Sequence, residues 1–163
     1  KDMNQTHLHL LVSHLPIFGS IFGGLVLAHG LWKRSIQTKI AAYNLFIISS
    51  IGAAIAYLTG EAAEESVERI QGISKDLIDQ HEDFAFIALV ALCILGLASL
   101  IGLIMTIRKS PLTRVVAIVT LIISLICFAL SSGTGYLGGQ IRHTELNSSI
   151  NNSVQSDKQM QDD

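Results

Sequence analysis

Apolar residues along this chain are gathered into four long runs, Leu8 to Trp32, Ile40 to Thr59, Phe84 to Ile107 and Val115 to Leu137. Each holds about 20 residues or more, and about 20 residues at 1.5 Å rise are what a helix needs to cross a hydrocarbon core of about 30 Å. The pattern predicts an all-α fold, a four-helix transmembrane bundle running up and down, with helices over about 8–32, 40–59, 77–107 and 113–138. Residues 1–143 then form one membrane domain, in which no internal repeat stands out. The tail from Thr144 to Asp163 is Ser, Asn, Gln and Asp with little to bury, and it is expected to be disordered. A secretory signal fits the first run poorly: the preceding residues Lys1 to His7 carry one Lys and one Asp, the run is long, and no Ala-x-Ala site follows it before Lys33.

The polar breaks between the runs orient the bundle. Lys33, Arg34 and Lys39 fill the first break and Arg108, Lys109 and Arg114 the third, so in an up-and-down bundle both basic loops share a side. The positive-inside rule assigns that side to the cytoplasm and puts both termini on the periplasmic side of a bacterial inner membrane. The middle loop, Gly60 to Lys75, has the opposite bias, with Glu61, Glu64, Glu65 and Glu68 against Arg69. Trp32, just before Lys33, sits where an interfacial aromatic belongs. Small-xxx-small pairs, Gly19 with Gly23, Gly52 with Ala56 and Ala98 with Gly102, are packing signals that let helix backbones approach.

Composition agrees with the membrane reading: half of the residues are apolar, 15% are charged and the mean hydropathy is +0.50. A net charge of −2 gives no basis for a nucleic-acid partner. Cys93 and Cys127 lie in separate runs, without Cys-x-x-Cys spacing, and read as two small buried thiols. No Cys-x-x-Cys-His attachment site for covalent haem, phosphate loop or nucleophile motif is present.

The chemistry-bearing residues are histidines. Five of six, His7, His9, His14, His81 and His143, fall at the run ends assigned to the outer face; His29 lies near the opposite end. Imidazole near hydrocarbon costs free energy unless it has a partner, so a one-sided cluster suggests a ligand site. His14 shares a helical stripe with His7, Ile21 and Leu25, and His81 shares one with Leu77, Ile78, Phe84, Ala85 and Ala88. Both stripes are expected to face inward, letting His14 and His81 clamp a metal or a haem iron from opposite sides. His9 and His143 are candidates for a second haem or for the edge of the first, and Arg142 for a haem propionate. A non-haem zinc or iron site on His14, His81, Glu61 and Glu64 is the alternative, with Glu61 also suited to orient a ligand imidazole.

Four segments, His9-Leu-Leu-Val-Ser-His-Leu-Pro16, Thr59-Gly-Glu-Ala-Ala-Glu64, His81-Glu82 and Thr134-Gly-Tyr-Leu-Gly-Gly139, resemble an uncharacterised bacterial family of four-helix membrane proteins. The resemblance spans residues 7 to 143. Members joined to Rieske or cytochrome c modules imply membrane electron transfer, and the family's marked positions would be His9, His14, Glu61, His81 and the Gly135 to Gly139 turn. Relatives carry His where this chain has Tyr136, a departure from the pattern. Taken together, the sequence leads to a membrane-embedded, cytochrome b-like haem protein. It would pass single electrons near the periplasmic face to other membrane redox subunits or a periplasmic carrier. A structural accessory subunit of a larger complex and a non-haem metal protein are the alternatives.

Overall fold

A computed structural model of the chain describes the backbone of residues 2–68 and 75–161 and the side chains of residues 7–60 and 75–141. Its elements are α1 (Asp2–Val12), α2 (His14–Trp32), α3 (Ile36–Glu68), α4 (Lys75–Ile107) and α5 (Thr113–Gln161); the described residues contain no strand. Helices α1 and α2 form one span, and the stretches His7–Trp32, Ile36–Gly60, Lys75–Ile107 and Thr113–Ile141 are each long and apolar enough to cross a membrane. The chain is thus a multi-pass membrane protein of four spans. Around the bundle, α3 lies between α2 and α4, and α5 closes the ring against α2, with α1 on α3.

Pro16 explains the break between α1 and α2. It has no N–H to give to the carbonyl four residues back, that of Val12, where α1 ends. Helix α5, in contrast, runs through the polar tail to Gln161, where the sequence suggested disorder. Residues 144–161 contain no Pro or Gly to stop propagation, and Leu146, Ile150 and Val154 recur every fourth position.

Inside the bundle the fully buried large side chains are Tyr43, Phe46, Leu27, Leu92 and Leu95. Lipid tails are as apolar as leucine, so these helices associate through close fit rather than water exclusion. Fit here means glycine facing a ring. A Cβ on Gly23 would sit 2.5 Å from Phe46, and one on Gly102 would sit 2.5 Å from Tyr43. The glycine pairs expected to be packing signals are that: Gly19 meets Ser49, and Gly52 meets Leu15. Cys127 is buried, but Cys93 is exposed on the outer surface of α4, against the expectation of two buried thiols, because it lies among the lipid-facing Val90, Ile94 and Leu97.

The two basic loops are built alike. In the first, Lys33 N–H bonds the His29 carbonyl at 2.9 Å and Ser35 N–H reaches the Gly30 carbonyl at 3.0 Å, with Arg34 at φ 53°. In the second, Arg108 N–H bonds the Ile104 carbonyl at 3.0 Å and Ser110 N–H the Met105 carbonyl at 3.0 Å, with Lys109 at φ 54°. Both are Schellman-type helix ends with a left-handed residue that is not glycine. Each loop then starts the next helix with a serine and a threonine three residues on: Ser35 Oγ accepts from Thr38 N–H at 3.2 Å, and Thr113 Oγ1 donates to the Ser110 carbonyl at 2.6 Å.

These loops share a motif that the sequence analysis did not single out. Lys33-Arg34-Ser35-Ile36-Gln37-Thr38-Lys39 and Arg108-Lys109-Ser110-Pro111-Leu112-Thr113-Arg114 stand 75 positions apart, with cations, Ser and Thr in register. At the same offset Ala42 matches Ala117 and Ser49 matches Ser124, all four buried. Two like hairpins, α2–α3 and α4–α5, therefore make the bundle.

Candidate functional site

At the end of the bundle away from the basic loops, each hairpin contributes one half-buried histidine: His9 on α1, which extends the first arm beyond α2, and His81 on α4. His9 presents Nδ1 to the Ala56 carbonyl of α3 at 2.7 Å; His81 presents Nδ1 to the Thr134 carbonyl of α5 at 3.1 Å. Four residues beyond each acceptor stands a glycine under the ring. A Cβ on Gly60 would lie 3.5 Å from His9 Cε1, and one on Gly138 would lie 3.2 Å from His81 Cε1. The same three parts, imidazole, carbonyl and glycine, thus occur twice.

The register repeats as well. His9 and Gly60 are each 25 positions from the Arg34–Ser35 turn, and His81 and Gly138 are each 28 positions from the Lys109–Ser110 turn. Three added residues on both arms of the second hairpin are close to one helical turn, so each face is kept.

A backbone carbonyl can only accept, so the Nδ1 of each ring carries the proton and donates it. In the neutral ring this tautomer leaves the lone pair on Nε2, on the far side of the ring. This is how ligand histidines are usually held, with the outer nitrogen fixed so that the inner one is basic and aimed. The carbonyls of Ala56 and Thr134 hold these two rings in place.

The structure corrects the expected pair. His81 faces inward as its stripe implied, but His14 is exposed: its Nδ1 donates to the Leu10 carbonyl one turn back at 2.9 Å, and its ring stacks on Phe18 at 6.3 Å between centroids. Its neighbours on that face, Phe18, Phe22 and Leu25, are exposed too. The inward stripe of the first span is instead His9, Val12, Pro16, Ser20, Gly23, Leu27 and Gly30. The physical reason is that in lipid the large apolar residues turn outward and the small ones pack, the reverse of the soluble-protein rule that put Ile21 and Leu25 inside.

The other candidates fall as follows. His7 is exposed, and His29 is exposed at the opposite end, edge-on to Trp32 at 6.1 Å. Tyr136 points away from the bundle, 68% exposed. Glu61, Glu64, Arg142 and His143 lie outside the described side chains. Among the described residues no three His, Cys, Asp or Glu side chains converge on a point. Gly60, Thr134 and Gly138 fall in the segments that carried the resemblance, but sequence reasoning did not place them, or Ala56, beneath the two rings; the spacing from the paired loop motif would have done so.

No family model, curated protein or solved structure matches this chain.

Proposed function

We propose that the protein is a membrane-embedded b-type haem protein that transfers single electrons, with His9 and His81 as the axial pair. The observation that carries the reading is the matched Nδ1 anchoring of the two rings, one from each hairpin, which leaves two basic nitrogens at one end of the bundle. Haem asks for two protein donors, whereas structural and catalytic zinc sites ask for three or four; the pair of imidazoles favours the former. Gly60 and Gly138 also suit it, because the missing side chains leave the rings seated directly on the neighbouring helices.

When bound, the haem supplies the one-electron chemistry. The chain's own residues orient the donors through the Ala56 and Thr134 carbonyls, and the apolar spans keep the site in a low dielectric. Positive-inside orientation would put this end at the periplasmic face of a bacterial inner membrane, within reach of other membrane redox subunits or a periplasmic carrier. His14, on the outer surface, takes no part, and a second haem on His9 and His143 is not proposed because His9 belongs to the first.

The test is the optical spectrum of the detergent-solubilised protein. A Soret band is expected in the parent and in His14→Ala, and its loss in His9→Ala and in His81→Ala. A colourless parent reconstituted with haem without a band would overturn the reading and leave a structural accessory role.

A further inference from the structure

The opposite end of the bundle carries a feature that the haem reading does not use. Between the two basic loops lies a cleft of about 250 Å³ lined by Leu31, Arg34, Lys39, Pro111, Thr113 and Arg114. Three of its six lining residues are cations, drawn from both hairpins. The chain offers them no counter-ion: no Asp or Glu occurs between Asp2 and Glu61, or between Asp83 and Glu145, so every carboxylate of the sequence belongs to the other end or the tail. Three like charges around one small cleft repel one another unless an anion is supplied from outside.

The backbone adds to the attraction. Helices α3 and α5 begin here, and their N-termini present positive dipole ends beside Lys39 and Arg114. The last carbonyls of α2 are already occupied, by Lys33 N–H on His29 and Ser35 N–H on Gly30, so the negative end of that helix is muted. Arg34 holds a left-handed conformation at φ 53°, a place where glycine would be unstrained.

We propose that this cleft binds the phosphate group of an anionic phospholipid from the adjoining leaflet. Phosphate suits a cluster of Arg and Lys at helix N-termini, and the surroundings say that it arrives on a lipid. Trp32, Ile36, Leu112 and Val115 are exposed around the same end, 77%, 43%, 55% and 58%, which gives acyl chains an apolar flank beside the headgroup. A soluble phosphate has no use for that flank. Lys33 does not line the cleft; its ammonium lies 4.8 Å over the Trp32 ring.

Trp32 is the only tryptophan in the chain and reports on this end. Brominated phosphatidylglycerol and brominated phosphatidylcholine, titrated separately into the solubilised full-length protein, should quench it with about a tenfold preference for the anionic lipid. The variant Arg34→Gln, Lys39→Gln, Arg114→Gln should lose the preference. A charge-matched variant outside the cleft, Lys33→Gln, Arg108→Gln, Lys109→Gln, should keep it, with circular dichroism showing that both variants remain helical. Equal loss in the two variants would reduce the effect to general surface charge and overturn the site. Displacement of the lipid by millimolar inorganic phosphate would overturn the lipid as its ligand.

Discussion

The first hairpin buries two large rings, Tyr43 and Phe46, whereas the described residues of the second bury no aromatic ring and carry Ser99, Thr106, Thr120, Ser124 and Ser131 beside Gly96 and Gly102, yet both end in the same loop and the same histidine anchor. At the 75-residue offset Leu27 stands opposite Gly102, and the space left by Gly102 is taken by Tyr43 of the first hairpin, whose own counterpart, Ile118, is exposed. The middles have exchanged volume with each other while the ends have kept their parts. Packing accepts any pair of residues that fill the gap together, but an imidazole fixed by a carbonyl, or a cation beside a helix N-terminus, has few substitutes.

The sharpest way to break this likeness is to remove one histidine at a time. If the two halves make one site, His9→Ala and His81→Ala each abolish the Soret band, and the double variant does no more; additive half-losses would mean two independent sites. Next come the divergent middles. Leu27→Ala leaves a buried void and should cost about 2–5 kcal/mol, and Gly102→Val drives a methyl-bearing carbon into the Tyr43 ring and should cost about 1–3 kcal/mol or more, both read from unfolding in mixed detergent micelles.

Smaller effects sharpen the comparison at each end. Gly138→Ala should disturb haem binding more than Gly60→Ala, because the added carbon would stand 3.2 Å from His81 in one case and 3.5 Å from His9 in the other. A titration of apo-protein with haem measures the order directly. At the loops, Arg34→Gly and Lys109→Gly both relieve a left-handed residue and should gain up to about 1 kcal/mol. Only Arg34→Gly should lower the preference for anionic lipid, since Lys109 does not line the cleft.

Much of this was readable from the sequence. The four spans follow from hydropathy and length alone, since a bilayer imposes both, and the inward turn of His81 followed from the stripe it shares with Leu77, Ile78, Phe84, Ala85 and Ala88. His14 was misread because its stripe carries the bulkier apolar side chains, and bulk faces lipid. His9 was already a candidate for a second haem, and its inward turn follows once Val12, Pro16, Ser20 and Gly23 are seen as the packing stripe. The likeness of the two loops hid because the motif is seven residues long and its flanking helices are largely apolar, so little besides the cations, Ser and Thr marks the register. The extension of α5 into the polar tail depends on the absence of a stop signal, which composition does not weigh.

One imidazole, one carbonyl and one glycine come from each half of the bundle. The unequal arm lengths, 25 and 28 positions from turn to histidine, differ by close to one helical turn, so an arm can lengthen without swinging its imidazole off the inner face.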